Sequence, residues 1–295
     1  MTTIKPTSKK VSLIIVSYNT CAYLLACLAS LKKAQGEKEI FVVDNNSSDN
    51  TVEQVKRAFP EVYLIKNHTN LGFGAANNRA LPLCQGEYVI FLNPDTLLKN
   101  DTIEKAVNYM ENHPEVGLGG ARILNPDGSL QESVSYRYPG GRYAKAETSN
   151  LAGEIACVLG AFMIARRKLI EDLGGFDEDF FLYGEDEDLC WRIRERGFKI
   201  GYIPEAEVIH WGGASERATL PLEVTRKKIL AAYTFYRKHY RPETIARIRH
   251  RERLQAYWRL FSLSLTKFFT RNPARHMEKK LRYRLILEMT ERTIP

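Results

Sequence analysis

Four apolar runs, each closing in a polar cluster, constrain the first hundred residues more than any other feature. They are VSLIIVSYN (11–19), EIFVVDNNS (39–47), VYLIKN (62–67) and YVIFLNPD (88–95). Between them lie AYLLACLASLKKA, SSDNTVEQVKRAF and GFGAANNRALPLC, whose composition and spacing suit helices. Strands apolar at nearly every position need cover on both faces, and strand alternating with helix is the pattern of a parallel α/β sheet. Ligands of such sheets sit beyond the carboxyl ends of the strands. The clusters SYN, DNNS, KN and NPD all fall at those ends, so residues 1–100 read as a nucleotide-binding half.

After residue 100 the rhythm changes. NPDGSL (125–130) reads as a turn, and ESVSYRYPGGRYAKAETSN (132–150), broken by Gly and Pro, as a mobile loop. LAGEIACVLGAFMIARRKLI reads as a strand pair or a strand running into a helix. GEDEDLCWRIRERGF predicts a helix with a Gly stop, and KIGYIPEAEVIH (199–210) a strand ending in histidine. From about 222 the chain is long, basic and helical. The expected division is a catalytic domain over 1–221, in halves 1–100 and 101–221, and a helical region over 222–295.

Charge divides unevenly. The chain of 295 residues carries a net +8, but residues 216–295 hold 20 Lys and Arg against 7 Glu and no Asp, a balance of +13. Residues 1–215 therefore carry −5. No apolar run reaches the roughly 18–20 residues of a spanning helix. The basic N-terminus lacks a small-residue cleavage site before its first strand, so it reads as a mature start. Cys21, Cys27, Cys84, Cys157 and Cys190 are odd in number and lack CxxC spacing, which predicts reduced thiols in a cytoplasmic protein.

Several residues are placed to carry chemistry. Asp44 and Asn46 stand where a carboxylate and an amide could read a base or ribose edge, while Ser47 or Asp49 could cap the next helix. In NLGFGAANNRA (70–80), the glycines permit close backbone approach, and Asn77, Asn78 and Arg79 open a helix where an anion is favoured. Helical spacing puts Asp186 on one face with Leu189, Cys190 and Ile193, hence inward. Asp188, Arg192 and Glu195 fall on another face, expected to be solvated. Asp95, alone at the end of FLNPD, could be a metal ligand, a turn residue or an exit to solvent. His210 ends an apolar strand, and a neutral imidazole beside Asp95 would suit a divalent cation.

In order, VSLIIVSYN, VVDNNSSDNT, NLGFGAANN, FLNPD, GAFMIARR with GGFDEDFFLYGEDEDLCWR, and VIHW resemble the inverting glycosyltransferases of family 2 over about residues 11–211. The NPD form with YGEDEDLCWR is most similar to rhamnosyltransferase-like members that build bacterial surface polysaccharides. The resemblance implies a GT-A fold, a Rossmann-like mixed sheet flanked by helices, here with a basic helical extension. It implies that Asp44 contacts the nucleobase and that Ser17, Tyr18, Asn19 and Asn46 line the nucleotide pocket. Asn70, Gly72, Phe73, Asn77 and Asn93 would shape its wall. Asp95 would hold Mg²⁺ or Mn²⁺ on the donor diphosphate with help from His210, although Asn93 stands where the family's motif has its first aspartate. Asp186 would be the general base, with Glu185 beside it, and Gly160 and Trp211 would border the acceptor.

The expected donor is a nucleotide-sugar, dTDP-rhamnose first and UDP-sugars next, and the expected acceptor is a glycan or a lipid-linked glycan. The competing readings are a nucleotide-sugar-binding protein without catalysis and a nucleic-acid binder drawn to the basic tail. The second lacks a recognisable module, so no nucleic-acid partner is expected. YWRLFSLSLTKFF (257–269), set among cations, suits a helix lying on an anionic membrane, at the inner face of the cell membrane. The alternatives there are a helical subdomain packed on the core or a contact between copies of the chain.

Overall fold

A computed structural model describes residues 11–213, 220–266 and 273–292. The end of the 257–269 run, from 267 on, lies outside the described residues. The first half alternates as its pattern predicts: β1 (Val11–Ser17), α1 (Cys21–Lys33), β2 (Lys38–Asp44), α2 (Thr51–Ala58), β3 (Tyr63–Lys66), α3 (Phe73–Ala80) and β4 (Tyr88–Leu92). There follow β5 (Thr96–Leu98), α4 (Thr102–Asn112), β6 (Val116–Leu124), β7 (Val134–Ser135), α5 (Lys145–Thr148), β8 (Cys157–Val158) and β9 (Phe162–Arg166). The last elements are α6 (Arg167–Asp172), α7 (Glu185–Glu195), β10 (Lys199–His210), α8 (Pro221–His239), α9 (Pro242–Leu265) and α10 (Pro273–Arg292).

Eight strands form one sheet in the order β3-β2-β1-β4-β9-β6-β10-β5. The first four are parallel; β9 runs antiparallel between β4 and β6, and β5 antiparallel to β10, so the sheet is mixed. Each residue of β1 and β4 is buried, which explains why those runs are apolar without alternation. β3, at the sheet edge, is half-exposed. One core gathers Leu13, Ile15, Val42, Ile90, Phe162, Ile164 and Val208 against Leu24, Leu28, Leu31, Ile103 and Met110 of the covering helices.

Because β1, β2, β3 and β4 are parallel, their polar ends share an edge. Ser17 pairs in register with Asp44, and Asp44 with Lys66, while Ile15 stands opposite Leu92. β10 runs parallel to β6 with a register shift between Ile203 and Glu207 that contains Pro204, a residue with no N–H to give the ladder. It then meets β5 with His210 opposite Thr96.

Two expectations change. The stretch 132–150, expected as a loop, carries β7, which pairs with β8, and α5, and it buries the Tyr138 ring against Trp191. Asp188, expected on a solvated face, is fully buried and accepts a 2.7 Å bond from Arg192 Nε. A pair at i, i+4 has the same spacing whether solvated or enclosed.

The chain forms two compact units. One comprises Met1–Tyr138, Leu151–Phe181 and Glu185–Arg217; the other comprises Pro139–Asn150, Leu182–Gly184 and Ala218–Pro295. Within the second, Tyr240 donates from its hydroxyl to the Pro139 carbonyl at 2.7 Å, and Tyr233 donates to Glu252 Oε2 at 2.8 Å.

Candidate active site

The ends of β1 and β2 build one wall. Asn19 and Asn46 take left-handed backbone (φ 53° and 66°), a conformation their short polar side chains tolerate. The Asn19 amide oxygen accepts the Ser48 N–H at 2.8 Å, and the Asn19 N–H donates to Ser47 Oγ at 3.0 Å. Asp49, not Ser47, serves the helices: its two oxygens accept the first amides of α1 (Cys21) and α2 (Thr51), both at 3.1 Å. Ser17 is buried with its hydroxyl 2.9 Å from that of Thr20, while Tyr18 and Asn46 are exposed. Asp44 is buried at the strand end. Its Oδ2 accepts the Ser47 N–H at 3.2 Å, and its Oδ1 is enclosed with no hydrogen-bond partner. A buried carboxylate oxygen left unpaired is costly, and a donor from a bound molecule would satisfy it.

The second wall is held by a residue that sequence reading missed. Asn45, buried between Asp44 and Asn46, donates to Asn70 Oδ1 (2.8 Å) and the Gly72 carbonyl (3.0 Å). Its own oxygen accepts from Asn67 Nδ2 and from the Leu71 N–H, each at 3.0 Å. All four capacities of the side chain are thereby used to fix the turn over residues 70–73. Gly72 sits at φ 84° so close to Phe181 that an added Cβ would lie 2.0 Å from its carbonyl oxygen. Phe73 N–H donates to that carbonyl at 3.0 Å. Asn77, expected in the wall, is fully buried beneath the turn, donating to the Phe73 carbonyl with its oxygen unpartnered. Its neighbour Asn78 reaches across instead, exchanging two 2.8 Å bonds with the Phe176 backbone.

The turn Asn93-Pro94-Asp95 is closed by Thr96, whose hydroxyl donates to the Asn93 carbonyl at 2.7 Å. Asp95 and His210, both buried, come together through the β5–β10 register, with His210 Nε2 at 3.3 Å from Asp95 Oδ1 and 3.4 Å from Asn93 Nδ2. On the other side of the ring, Nδ1 lies 2.8 Å from Gln131 Oε1, an oxygen that can only accept, so Nδ1 carries the hydrogen. In neutral His210, the Nε2 lone pair then faces a carboxylate oxygen, an arrangement that a cation stabilises. Among the described residues, no cluster of three or more His, Cys, Asp or Glu is placed to cage a metal. One carboxylate with an imidazole nonetheless fits an ion that keeps waters and takes its other ligands from a diphosphate. Trp211 N–H donates to the Asp95 carbonyl at 3.1 Å, and its ring lies 5.9 Å from that of Tyr23.

Asp186 is tied to this turn through two successive residues of the strand approach. Asn93 N–H donates to the Ala161 carbonyl at 3.0 Å, and the adjacent Gly160 N–H donates to Asp186 Oδ2 at 3.2 Å. Asp186 Oδ1 accepts the Glu187 N–H at 2.9 Å, within the first turn of α7. Burial raises the Asp186 carboxyl above the ordinary aspartate range against the pull of these amides. Glu187 is pushed up to about 8 by burial and then by the charge of Asp186. Glu185, buried with its Oε2 unpartnered, rises well above its usual range for the same reasons. Three carboxyls so close do not all ionise together readily, so a proton is held among them near neutral pH.

The family model described as "Glycosyl transferase family 2" matches residues 12–174. An N-acetylglucosaminyl-diphospho-decaprenol L-rhamnosyltransferase of Mycobacterium tuberculosis (strain CDC 1551 / Oshkosh) is 29% identical over 238 residues, 67% of this chain and 74% of that protein. Among solved structures, a mannosyltransferase from Pyrobaculum calidifontis in complex with GDP-Man and Mn²⁺ aligns over 97% of this chain and 87% of its own, with a TM-score of 0.61 and 18% identity. Staphylococcus aureus TarS 1–349 in complex with UDP-GlcNAc aligns over 97% and 82%, with a TM-score of 0.56 and 19% identity. The sheet that gathers these strand ends is thus the GT-A sheet, and the chain belongs to glycosyltransferase family 2, enzymes that transfer sugars from nucleotide donors.

Proposed function

We propose that this protein is a metal-dependent inverting glycosyltransferase. It moves L-rhamnose from dTDP-rhamnose to a polysaccharide or lipid-linked glycan acceptor in the assembly of cell-surface polysaccharide. The observation that carries the reading is the carboxylate of Asp186. It is oriented by two backbone amides, raised in pKa by burial, and joined to the Asn-Pro-Asp turn through Gly160 and Ala161. The rhamnose donor is supported by the M. tuberculosis relative, which is an L-rhamnosyltransferase by name.

The roles follow from position. Asp44 Oδ1 accepts an N–H of the base, and Ser17, Tyr18, Asn19 and Asn46 flank it. The turn Asn70–Phe73, with Asn77 beneath it, closes the wall. Asp95 and His210, with Asn93 alongside, would hold the Mg²⁺ or Mn²⁺, which supplies Lewis-acid stabilisation of the departing diphosphate. Asp186 takes the proton of the acceptor hydroxyl while its oxygen bonds to the anomeric carbon and the carbon–phosphate oxygen bond breaks. Burial keeps Asp186 basic enough for this, and its charge in turn holds the protons on Glu185 and Glu187. Gly160 and Trp211 border the acceptor.

Asp186→Asn tests the assignment. It keeps the acceptor oxygen for Gly160 but removes the base, and should lower turnover about 10²–10⁴-fold with donor binding retained. Unchanged transfer and unchanged nucleotide-sugar hydrolysis would refute it. A thermal-shift panel of nucleotides with Mn²⁺ reads the donor: stabilisation by dTDP over UDP supports rhamnose, and the reverse order replaces it with a UDP-sugar.

A further inference from the structure

Helix α9 exposes a line of large apolar side chains: Leu254 (47% exposed), Tyr257 (50%), Trp258 (66%), Phe261 (56%) and Leu265 (60%). Their spacing of three and four residues puts them on one face. Ala256, which is buried, lies about 160° around the helix from Trp258, so the apolar line is the side turned away from the packing of its own unit. Trp258 and Phe261 stand with ring centroids 6.0 Å apart. Toward the N-terminus the same line continues as Arg251 and Arg247, both exposed, with exposed Arg259 at its flank. Helix α10 adds exposed Met277 and Leu281, with Lys279, Arg282 and Arg284 exposed around them.

We infer that this face of α9 is a membrane-surface contact that lies in the interface of an anionic bilayer. A monomer has no use for five large apolar side chains in water on one helix face. Tyr, Trp and Phe favour the boundary where one end is apolar and the other wet. The charge chooses between occupants. No acidic residue stands between Glu252 and Glu278, and Glu252 is turned inward to the Tyr233 hydroxyl. Pairing this face with its copy would bring two cationic faces together, whereas an anionic lipid surface offers counter-charges. Among the described residues no helix is long and apolar enough to cross a membrane, so the contact is one of lying on the surface. This inference goes beyond the transferase reading and does not rest on it.

The test is flotation of the full chain with vesicles of phosphatidylcholine, with and without phosphatidylglycerol, beside the variant Trp258→Glu/Phe261→Glu. Both positions are exposed, so the variant should melt like the native chain. The native chain should float with the anionic vesicles and not with the neutral ones. The double variant should lose about tenfold or more of its partition. Partition should weaken with added salt, which screens its electrostatic share. No flotation with anionic vesicles overturns the inference, as does flotation indifferent to the double variant. Conversion of a native oligomer to monomers by the variant, with no lipid dependence, would assign the face to a second copy and also overturn it.

Discussion

Asp44→Asn separates a binding role from a structural one at a single atom. In the native chain Oδ2 accepts the Ser47 N–H at 3.2 Å and Oδ1 is buried without a partner. An asparagine can keep its oxygen on Ser47 only by placing its NH₂ where Oδ1 was. A base N–H that formerly met an acceptor would then meet a donor. A hydrogen bond to a charged group contributes about 1.5–3 kcal/mol. At 1.4 kcal/mol per tenfold, losing it weakens nucleotide binding roughly 10- to 150-fold. UDP and dTDP present the same N3–H edge, so calorimetric titration should show both falling together. CDP, whose ring N3 is an acceptor, should fall less. Without nucleotide, removing an unpaired buried charge should leave stability unchanged or raise it by about 1 kcal/mol in urea unfolding. The reasoning is refuted if UDP binding changes by less than about twofold, or if the free protein loses more than about 2 kcal/mol. The second result would make Asp44 a framework residue.

The carboxyl cluster of α7 sets a pH dependence of opposite sign for stability and for rate. Glu187 keeps its proton in the fold up to about 8 against an ordinary 4.5, so between these values the folded state binds more protons than the unfolded and stability falls as pH rises. Glu187→Gln should flatten that slope in pH-dependent urea titrations. Turnover should instead rise with pH as the raised carboxyl of Asp186 ionises, and a rate independent of pH over this range would remove Asp186 as the base. Gln131→Leu removes the acceptor that fixes His210, and Mn²⁺ affinity read by electron paramagnetic resonance should fall about 10–100-fold, with Gln131→Glu restoring it.

Much of the architecture is legible in the sequence because burial on both faces leaves so few options for a strand. VSLIIVS and YVIFL cannot sit anywhere but in the middle of a covered sheet, and their polar ends must then meet ligand or solvent. The proximity of Asp95 and His210 is legible more weakly, from two strand ends carrying residues of compatible chemistry. The amide framework is not legible. Asn45, Asn78 and Gln131 act as substitutes for backbone, with partners as far as 100 residues away, and nothing local distinguishes such an asparagine from one in an ordinary turn. The repeated asparagines at 45, 67 and 70 are the one sequence signal for the first of these. Asp188 escapes for another reason: its partner four residues on makes a buried pair look like a solvated one.

The opposition of His210 to Thr96 also sets an order of events. The two members of the pair at the Asn-Pro-Asp turn are separated by most of the catalytic sheet in sequence, and β10 is the last strand to enter it. Such a contact closes a long loop, and the entropy of that closure opposes it. A one-residue slip of β10 against β5 would turn the imidazole to the opposite face of the sheet. In chain order, the strand ends that carry Ser17, Asp44 and Asp95 are therefore all made well before the strand that brings His210. On the proposed assignments, a chain halted before β10 would carry Asp95 without its imidazole partner.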